Sequence, residues 1–494
     1  MSGRSTDPPR VLLVDPYLSR EDPMERKFVE LYPSLGLLTL GAYLRDHGVD
    51  VEVVDLTFAR SVRPVAERLR RFRPDLLGVH TKTLTHDRAL EVARLARAAG
   101  ATSVAGGPDS ASRPADYLAR GFDVVVPSEG EEALVELAFA VRERRPISRV
   151  PGVVVREGGR LVRGPPRPFL RDLDALPLPA WDLIDMEGYL GRWERKTGER
   201  RAAVLTSRGC PFDCSWCSKP TFGRTFRQQS PERVLRELRA LRERFGVDYV
   251  RFCDDVFGIS RAWLEELLDR MEAARLDLKF ECLARVDLLK PDLLRRLRAA
   301  GLERVYVGVE SGSQKMLDLM NRGTKLAQIE RTAEALRKEG IRQFWFLMLG
   351  YPGESLDDIE ATLQLFRRFS PDEYSVSIAV PVPGTRFFDQ VKDRLRGTAR
   401  RPGGEGGRSL LYEARYPETM YRWEQARFGL EAALGRARPK IGDRIVGRIG
   451  RVADRFHERV AKPLLTGEPR VPGRDAGPAR RPAASEPIVP RPRR

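Results

Sequence analysis

The sequence predicts an α/β protein in two parts: an open, doubly wound parallel sheet, then six further strand–helix units, with a helical C-terminal extension. Three observations predict it. Short apolar runs such as Val11–Asp15 alternate with amphipathic stretches from the start of the chain, and strand–helix alternation argues for parallel sheets. Six more such alternations follow between residues 200 and 395. Between the two sets, Ser207–Pro220 reads SRGCPFDCSWCSKP and holds three of the chain's five cysteines.

The first part, residues 9–145, reads as a Rossmann-like domain. Strands are expected at 11–15, 51–54, 75–80, 102–105 and 122–126, with helices at 35–47, 64–72, 87–99 and 115–120 and another opening at Ser128–Glu131. Gly48 and Gly100 stand where a helix needs a left-handed stop, and Pro64 suits a first helical turn. Ligands of such sheets sit at the carboxyl ends of the strands. Thr81, Gly106, Gly107 and Ser128, Glu129, Gly130 and Glu131 fall there. His80 and His86, near one strand end, read as polar wall residues rather than metal ligands.

Residues 146–200 read as a connector, with a hairpin over 150–163 turning at Gly158-Gly159 and a proline-bearing strap, Leu173–Asp185. Residues 201–395 supply the second set of strands, at 202–206, 248–253, 278–283, 304–309, 343–349 and 374–380, with Ser230 and Ser260 placed as helix N-caps. Cys253 and Cys282 lie inside apolar strands and read as small core residues.

Cys210, Cys214 and Cys217 follow the first of these strands in a C-x3-C-x2-C pattern. Three thiolates so close can hold zinc or an iron–sulfur centre. A structural zinc site is usually closed by four ligands, and no fourth Cys or His lies nearby. Three ligands without a fourth point to a 4Fe–4S cluster with one iron open to a small molecule.

This spacing, with Trp216 before the third cysteine, resembles the radical S-adenosylmethionine (SAM) superfamily. The resemblance implies a partial (β/α)6 TIM-type barrel, SAM chelated at the open iron, and its reductive cleavage to methionine and a 5′-deoxyadenosyl radical. By position it gives SAM-binding roles to Trp216, to Asp254 and Asp255 (amino group), to Arg285 (carboxylate, or a substrate anion) and to Glu310 (ribose). Gly350 and Gly353 would let backbone approach SAM, and Pro381 would border the adenine or the substrate mouth.

The first domain is similar to the cobalamin-binding domain of the cobalamin-dependent radical SAM enzymes, on Tyr32–Leu44, Gly106–Pro108 and Ser128–Leu134. The resemblance implies cobalamin held by Ser34, Leu35, Gly36, Thr81, Gly106, Gly107, Ser128, Glu129 and Gly130. The D-x-H-x-x-G motif of other cobalamin proteins is absent: the first strand ends Asp15-Pro16-Tyr17-Leu18-Ser19-Arg20, which implies no histidine axial ligand. The reaction implied is methylation of an unactivated carbon of a small-molecule or lipid-like substrate, with a reductant such as flavodoxin or ferredoxin. The alternative is oxidative cyclisation or rearrangement without methyl transfer, because the element Phe252–Phe257 (FCDDVF) also resembles the anaerobic porphyrin cyclase branch. A zinc-binding, non-enzymatic interaction module is the remaining reading. A methylthiotransferase would carry a second cysteine triad upstream, and no cysteine precedes Cys210.

The formal charge of +17 invites a nucleic-acid partner, but much of the excess lies in the Arg/Pro-rich end, and no aromatic-interleaved basic motif appears. Nucleic acid is not expected. No apolar run of about eighteen residues occurs, and clustered rather than scattered cysteines fit a reducing cytoplasm. Residues 396–465 read as a helical extension, with Tyr412–Leu434 helical and expected to cover the barrel's open side. Over 441–460, Ile441, Ile445, Ile449, Val452, Phe456 and Val460 recur at helical spacing among arginines, a pattern suited to peripheral contact with an anionic membrane. Residues 466–494 read as a disordered basic tail.

Overall fold

The computed structural model describes residues 7–22, 31–219, 221–396 and 410–466. The linker expectation at 401–409 and nearly all of the tail fall outside them. The described residues form two units, up to Arg415 and from Tyr416.

The first sheet has strands β1 (Arg10–Asp15), β2 (Asp50–Asp55), β3 (Leu76–His80), β4 (Thr102–Gly106), β5 (Val124–Val126), β6 (Val154–Glu157) and β7 (Arg160–Arg163), in the order β2-β1-β3-β4-β5-β6-β7. The first five are parallel. Their apolar runs are buried on both faces, as parallel strands require. Leu12, Val14, Leu77 and Val79 point into one core and Val11, Leu13, Leu76 and Val124 into the other. The hairpin β6–β7 pairs antiparallel to β5, so the sheet extends to Arg163 and takes in residues that the sequence assigned to the connector. The chain passes from β2 on one side of β1 to β3 on the other, which opens a crevice at the carboxyl end of the sheet.

The strap runs through Trp181, which is 1% exposed, into a helix the sequence did not announce, Met186–Thr197, capped by the Asp185 carboxylate on the Gly188 N–H and stopped by Gly198. The second sheet then forms from β8 (Arg201–Val204), β11 (Tyr249–Phe252), β12 (Lys279–Ala284), β13 (Leu302–Glu310), β14 (Arg342–Leu349) and β15 (Glu373–Ile378), all parallel, with β8 and β15 at its edges. This is the expected six-stranded partial barrel. A two-stranded ribbon, β9 (Ser207–Arg208) and β10 (Arg227–Gln228), interrupts it after β8. Ser230 and Ser260 cap the helices Pro231–Phe245 and Arg261–Ala273 as expected, each accepting a backbone N–H.

In the second unit the helix begins at Glu418, not Tyr412, and runs to Phe456 with a break at Gly442 (φ 78°, ψ 157°). Tyr412 instead bridges Leu395 in the first unit. At the break the chain doubles back. Phe456 packs on Trp423 at 5.7 Å, and the Trp423 indole N–H donates to His457 Nδ1 at 3.0 Å.

That bond needs His457 neutral at Nδ1. Burial, reinforced by the Arg427 charge, lowers its pKa from 6.5 to about 4. A base whose folded pKa is depressed contributes stability above its unfolded pKa, and the contribution is lost as pH falls through the folded value. Thermal unfolding of this helical pair is therefore expected to be unaffected by pH above about 6.5 and to fall steadily between 6.5 and 4. His457→Gln should flatten that slope; an unchanged slope would remove His457 as its source. Among the described residues no helix is long and apolar enough to cross a membrane.

Candidate active site

The cysteine loop is framed by the β9–β10 ribbon. Gly209, one residue before Cys210, has φ +82°, and a Cβ there would stand 2.1 Å from the Thr225 carbonyl oxygen, so only glycine fits. The Lys219 ammonium ties the loop internally by donating to the carbonyls of Cys210 (2.7 Å) and Phe212. The helix turn at 314–321 ties it from outside: Ser215 N–H donates to Met320 O at 2.9 Å, and Asn321 Nδ2 donates to Asp213 O at 2.6 Å. Gly209→Ala is expected to cost most of the iron incorporated on reconstitution although it removes no thiol. Wild-type iron content in that variant would refute the steric argument.

Cys210 and Cys214 are 8% and 9% exposed, and Cys217 is exposed. Burial raises the Cys210 thiol and pushes Cys217 up to about 11. These thiols become thiolates only when a metal centre takes them. Two cations stand ready for that charge. Lys219 lowers the cost for Cys210 and Cys217, and Arg322 Nη1 points at Cys214 Sγ from 3.5 Å. Among the described residues, no three His, Cys, Asp or Glu side chains converge closely enough for a single ion. Three thiols with two flanking cations fit an anionic multi-iron cluster. Arg322 is the residue that sequence reasoning missed. It also lies 4.0 Å from Glu310 and 5.8 Å over the Trp216 ring, and nothing local in its sequence marks it.

The strand ends divide the expected SAM residues. Asp254 is 2% exposed. Its Oδ1 accepts from Thr206 N (3.0 Å), Thr206 Oγ1 (3.0 Å) and Ser207 Oγ (2.5 Å), so it pins β8 to the loop, and burial raises its pKa to about 6. Asp255 is exposed and faces the cavity described below. Arg285 is fully buried, paired with Asp287 (2.9 Å), bonded to Arg322 O (2.9 Å) and stacked 3.7 Å over Phe212; it braces the cysteine loop from behind. Glu310 adopts φ +64° and is 8% exposed, with burial raising its pKa. The Gly350 N–H donates to Glu354 Oε2 at 2.5 Å and its carbonyl accepts from Tyr412, so both backbone groups are engaged within the protein. Gly353 has φ +89°, and Pro381 is buried.

Between the carboxyl ends of the two sheets lies a cavity of about 460 Å3. From the first domain it is bordered by Leu35, Gly36, His80, Gly106, Gly107 and Ser128–Glu131, and from the barrel by Ser207, Ser218, Lys219 and Asp255. Its floor is apolar, with Leu13, Leu37, Leu40 and Val104. An apolar floor with glycine rims fits a flat macrocycle. Ser34 turns aside to hydrogen-bond His80 Nδ1 at 2.9 Å. The buried Thr81 hydroxyl bonds the Gly106 carbonyl at 2.8 Å, so both residues shape the wall. His80 borders the cavity as a polar wall residue, whereas His86 is not part of its lining and lies 3.1 Å from the Tyr117 hydroxyl and 3.4 Å from Asp109.

The acidic run borders the cavity and also carries ion pairs to the barrel side. Glu129 takes Arg208 at 2.8 Å, Arg227 at 2.7 Å and the Leu170 N–H at 2.8 Å, and Glu131 takes Arg208 at 2.6 Å. Arg208 directly precedes Gly209 and Cys210, so this buried network locks the first domain onto the cysteine loop.

A cluster loop at the mouth of a partial barrel, facing a doubly wound sheet across one cavity, defines a radical enzyme built to serve two cofactors. The comparisons agree. Residues 204–366 match the model of the radical SAM superfamily and residues 25–138 that of the B12 binding domain. An uncharacterized methyltransferase of Pyrococcus horikoshii is 30% identical over 390 residues, 77% of this chain and 82% of that protein. A hopanoid C-3 methylase of Methylococcus capsulatus is 29% identical, over 74% of this chain and 70% of that one. An anaerobic magnesium-protoporphyrin IX monomethyl ester cyclase of Cereibacter sphaeroides is also 29% identical, but only 59% of its length is covered.

Among solved structures, the radical SAM methyltransferase TsrM of Kitasatospora setae superposes with a TM-score of 0.67 at 22% identity, over 78% of this chain and 75% of that one. The cobalamin-dependent SAM radical enzyme OxsB gives 0.72 at 16% identity, over 93% and 74%. The chain belongs to the radical SAM superfamily, in its B12-binding branch. Its cofactors are a 4Fe–4S cluster, SAM and cobalamin. Family membership sets aside the zinc-module reading.

Proposed function

We propose that this protein is a cobalamin-dependent radical SAM methyltransferase acting on an unactivated carbon of a small molecule. The observation that carries the reading is the single cavity whose wall is shared by Gly106, Gly107 and Gly130 on one side and by Ser218, Lys219 and Asp255 on the other. When bound, the cluster supplies the electron that splits SAM to a carbon radical, and cobalamin carries the methyl group. The chain's own residues prepare that encounter. Asp255 and Glu310, both carboxylates at strand ends, receive the amino group and ribose hydroxyls of SAM. Arg322 holds Glu310 and Cys214 together, which couples SAM position to the cluster. Gly36, Gly106 and Gly107 would leave room for cobalamin at the cavity wall, and the Glu129–Arg208 pair would hold the first domain against the cysteine loop.

The test is anaerobic reconstitution with iron, sulfide and hydroxocobalamin, then gel filtration. Corrin absorbance is expected to co-elute with the chain and to be lost in Gly107→Val. That residue has φ +106°, and a Cβ would stand 2.7 Å from Thr81 O. Failure of wild-type protein to retain corrin would leave an ordinary radical SAM enzyme.

The reductant is an external one-electron donor of the flavodoxin or ferredoxin kind. The second unit supports a peripheral membrane contact. Ile445, Ile449, Val452, Phe456 and Val460 are exposed by 49, 40, 56, 47 and 40% among interspersed arginines; the Ile441 side chain lies outside the described set. Binding to anionic liposomes but not to neutral ones is expected, and absence of both would remove this contact.

A further inference from the structure

One histidine borders the shared cavity from the first domain. His80 ends β3, lies beside Gly106 and Gly107 in the cavity wall, and keeps 22% of its side chain exposed. Its two ring nitrogens are in different situations. Nδ1 lies 2.9 Å from the Ser34 hydroxyl and 3.7 Å from Asp15 Oδ2. Nε2 meets no hydrogen-bond partner among the described residues. A Cβ built at Gly107 would stand 2.8 Å from His80 Cδ2, the ring carbon bonded to Nε2. That edge of the imidazole therefore lies against the glycine turn at the cavity wall.

The groups behind the ring set its tautomer. Asp15 closes β1 and is buried. Lys82 Nζ donates to its Oδ2 at 3.1 Å, while Oδ1 is buried with no hydrogen-bond partner. Lys82 and His80 are thus the two bases that answer this carboxylate. Two oxygens facing Nδ1 favour a proton there and leave the lone pair on Nε2. An imidazole that ligates a metal passes its other N–H to an oxygen acceptor in this way, which fixes the ring and raises its basicity. β1 and β3 are neighbours in the sheet, on the side where the strand order reverses, and ligands of doubly wound sheets sit at that point.

His86 shows the contrast. Its Nδ1 lies 3.1 Å from the Tyr117 hydroxyl and its Nε2 3.7 Å from Asp116, so both nitrogens face protein groups. His80 keeps one nitrogen free at the cavity.

We propose that His80 Nε2 is a cobalt ligand of the bound cobalamin, with Ser34 and Asp15 as positioning residues. The loop after β1 puts Tyr17, not a histidine, two residues beyond Asp15; the imidazole that meets Asp15 arrives from β3 instead. The assignment rests on cobalamin as the cofactor and not on methyl transfer.

The test is electron paramagnetic resonance of the reconstituted full chain loaded with cob(II)alamin, the protein being made with 15N-histidine. The unpaired electron of Co(II) is split by an axial nitrogen: 15N imidazole gives a doublet, whereas the 14N of cobalamin's own base gives a triplet. A doublet is expected in the wild type. All four histidines carry the label, so the variants assign the signal: it should vanish in His80→Gln and persist in His86→Gln. Asp15→Asn should keep the doublet and weaken corrin binding about tenfold, the usual cost of removing the group behind a ligating imidazole. Circular dichroism checks that the variants fold, and the wild-type doublet stands without them. A triplet, an unsplit signal, or a doublet that survives His80→Gln would each overturn the ligand; unchanged corrin affinity in Asp15→Asn would overturn the role given to Asp15. Corrin absorbance on gel filtration reads the cofactor separately, so an unsplit signal from corrin-loaded protein removes this ligand and leaves the cofactor in place.

Discussion

Cys214→Ala loses its cluster, and 5′-deoxyadenosine formation from SAM falls by more than about a thousandfold, the scale on which essential catalytic groups act. The loop cannot compensate. Ser215 is held by the Met320 carbonyl at 2.9 Å, so the backbone around the missing thiol stays fixed, and Arg322 loses the sulfur it addresses at 3.5 Å. The first sheet has its own two cores on either face and does not depend on the thiol. Iron analysis should therefore collapse while the circular dichroism stays close to wild type. SAM cleavage at the wild-type rate in this variant would overturn the cluster assignment.

Glu129→Ala destabilises the protein by about 3–5 kcal/mol, the cost of removing one partner of a buried ion pair and leaving the other charge uncompensated. The side chain is 7% exposed and answers two guanidiniums and one backbone N–H. Glu129→Gln keeps the shape and one acceptor and should fall between the two. Urea unfolding reads the loss. The same variants should lose coupling between the domains, so that corrin retention weakens while isolated cluster assembly persists. A change within about 0.5 kcal/mol, typical of an exposed surface site, would show that the network is incidental.

Much of this architecture was legible because each signal was local. The apolar runs of β1 and β3 announced buried parallel strands, Gly48 and Gly100 take the left-handed φ that ends a helix, and the cysteine spacing lies within one loop. What stayed hidden depends on distant partners. Arg322 reads as one arginine among many until the fold brings it to Cys214. Nothing in the sequence shows that Arg208 and Arg227 will arrive at Glu129 and Glu131, so their ion pairs stayed hidden beside their place at the cavity. Arg285 sits at the strand end expected of it, but its bonds to Asp287 and to the Arg322 carbonyl could not be read from the sequence. Cys253 is exposed, not the core residue expected of it, whereas Cys282 is buried. Cys253 was readable and misread: Tyr249, Arg251 and Cys253 alternate with Val250 and Phe252, and that period of two already placed the thiol on the polar face of the strand.

The claim at the centre of this account is that one cavity brings a SAM-derived radical and a cobalamin-borne methyl group to the same substrate. The most direct measurement is quantification of S-adenosylhomocysteine and 5′-deoxyadenosine formed by the reconstituted enzyme with SAM, reductant and a substrate that the barrel accepts. Methyl transfer by this route forms both products in step with methylated substrate. 5′-Deoxyadenosine without S-adenosylhomocysteine, together with a converted but unmethylated substrate, would contradict it and assign the chain to radical cyclisation or rearrangement.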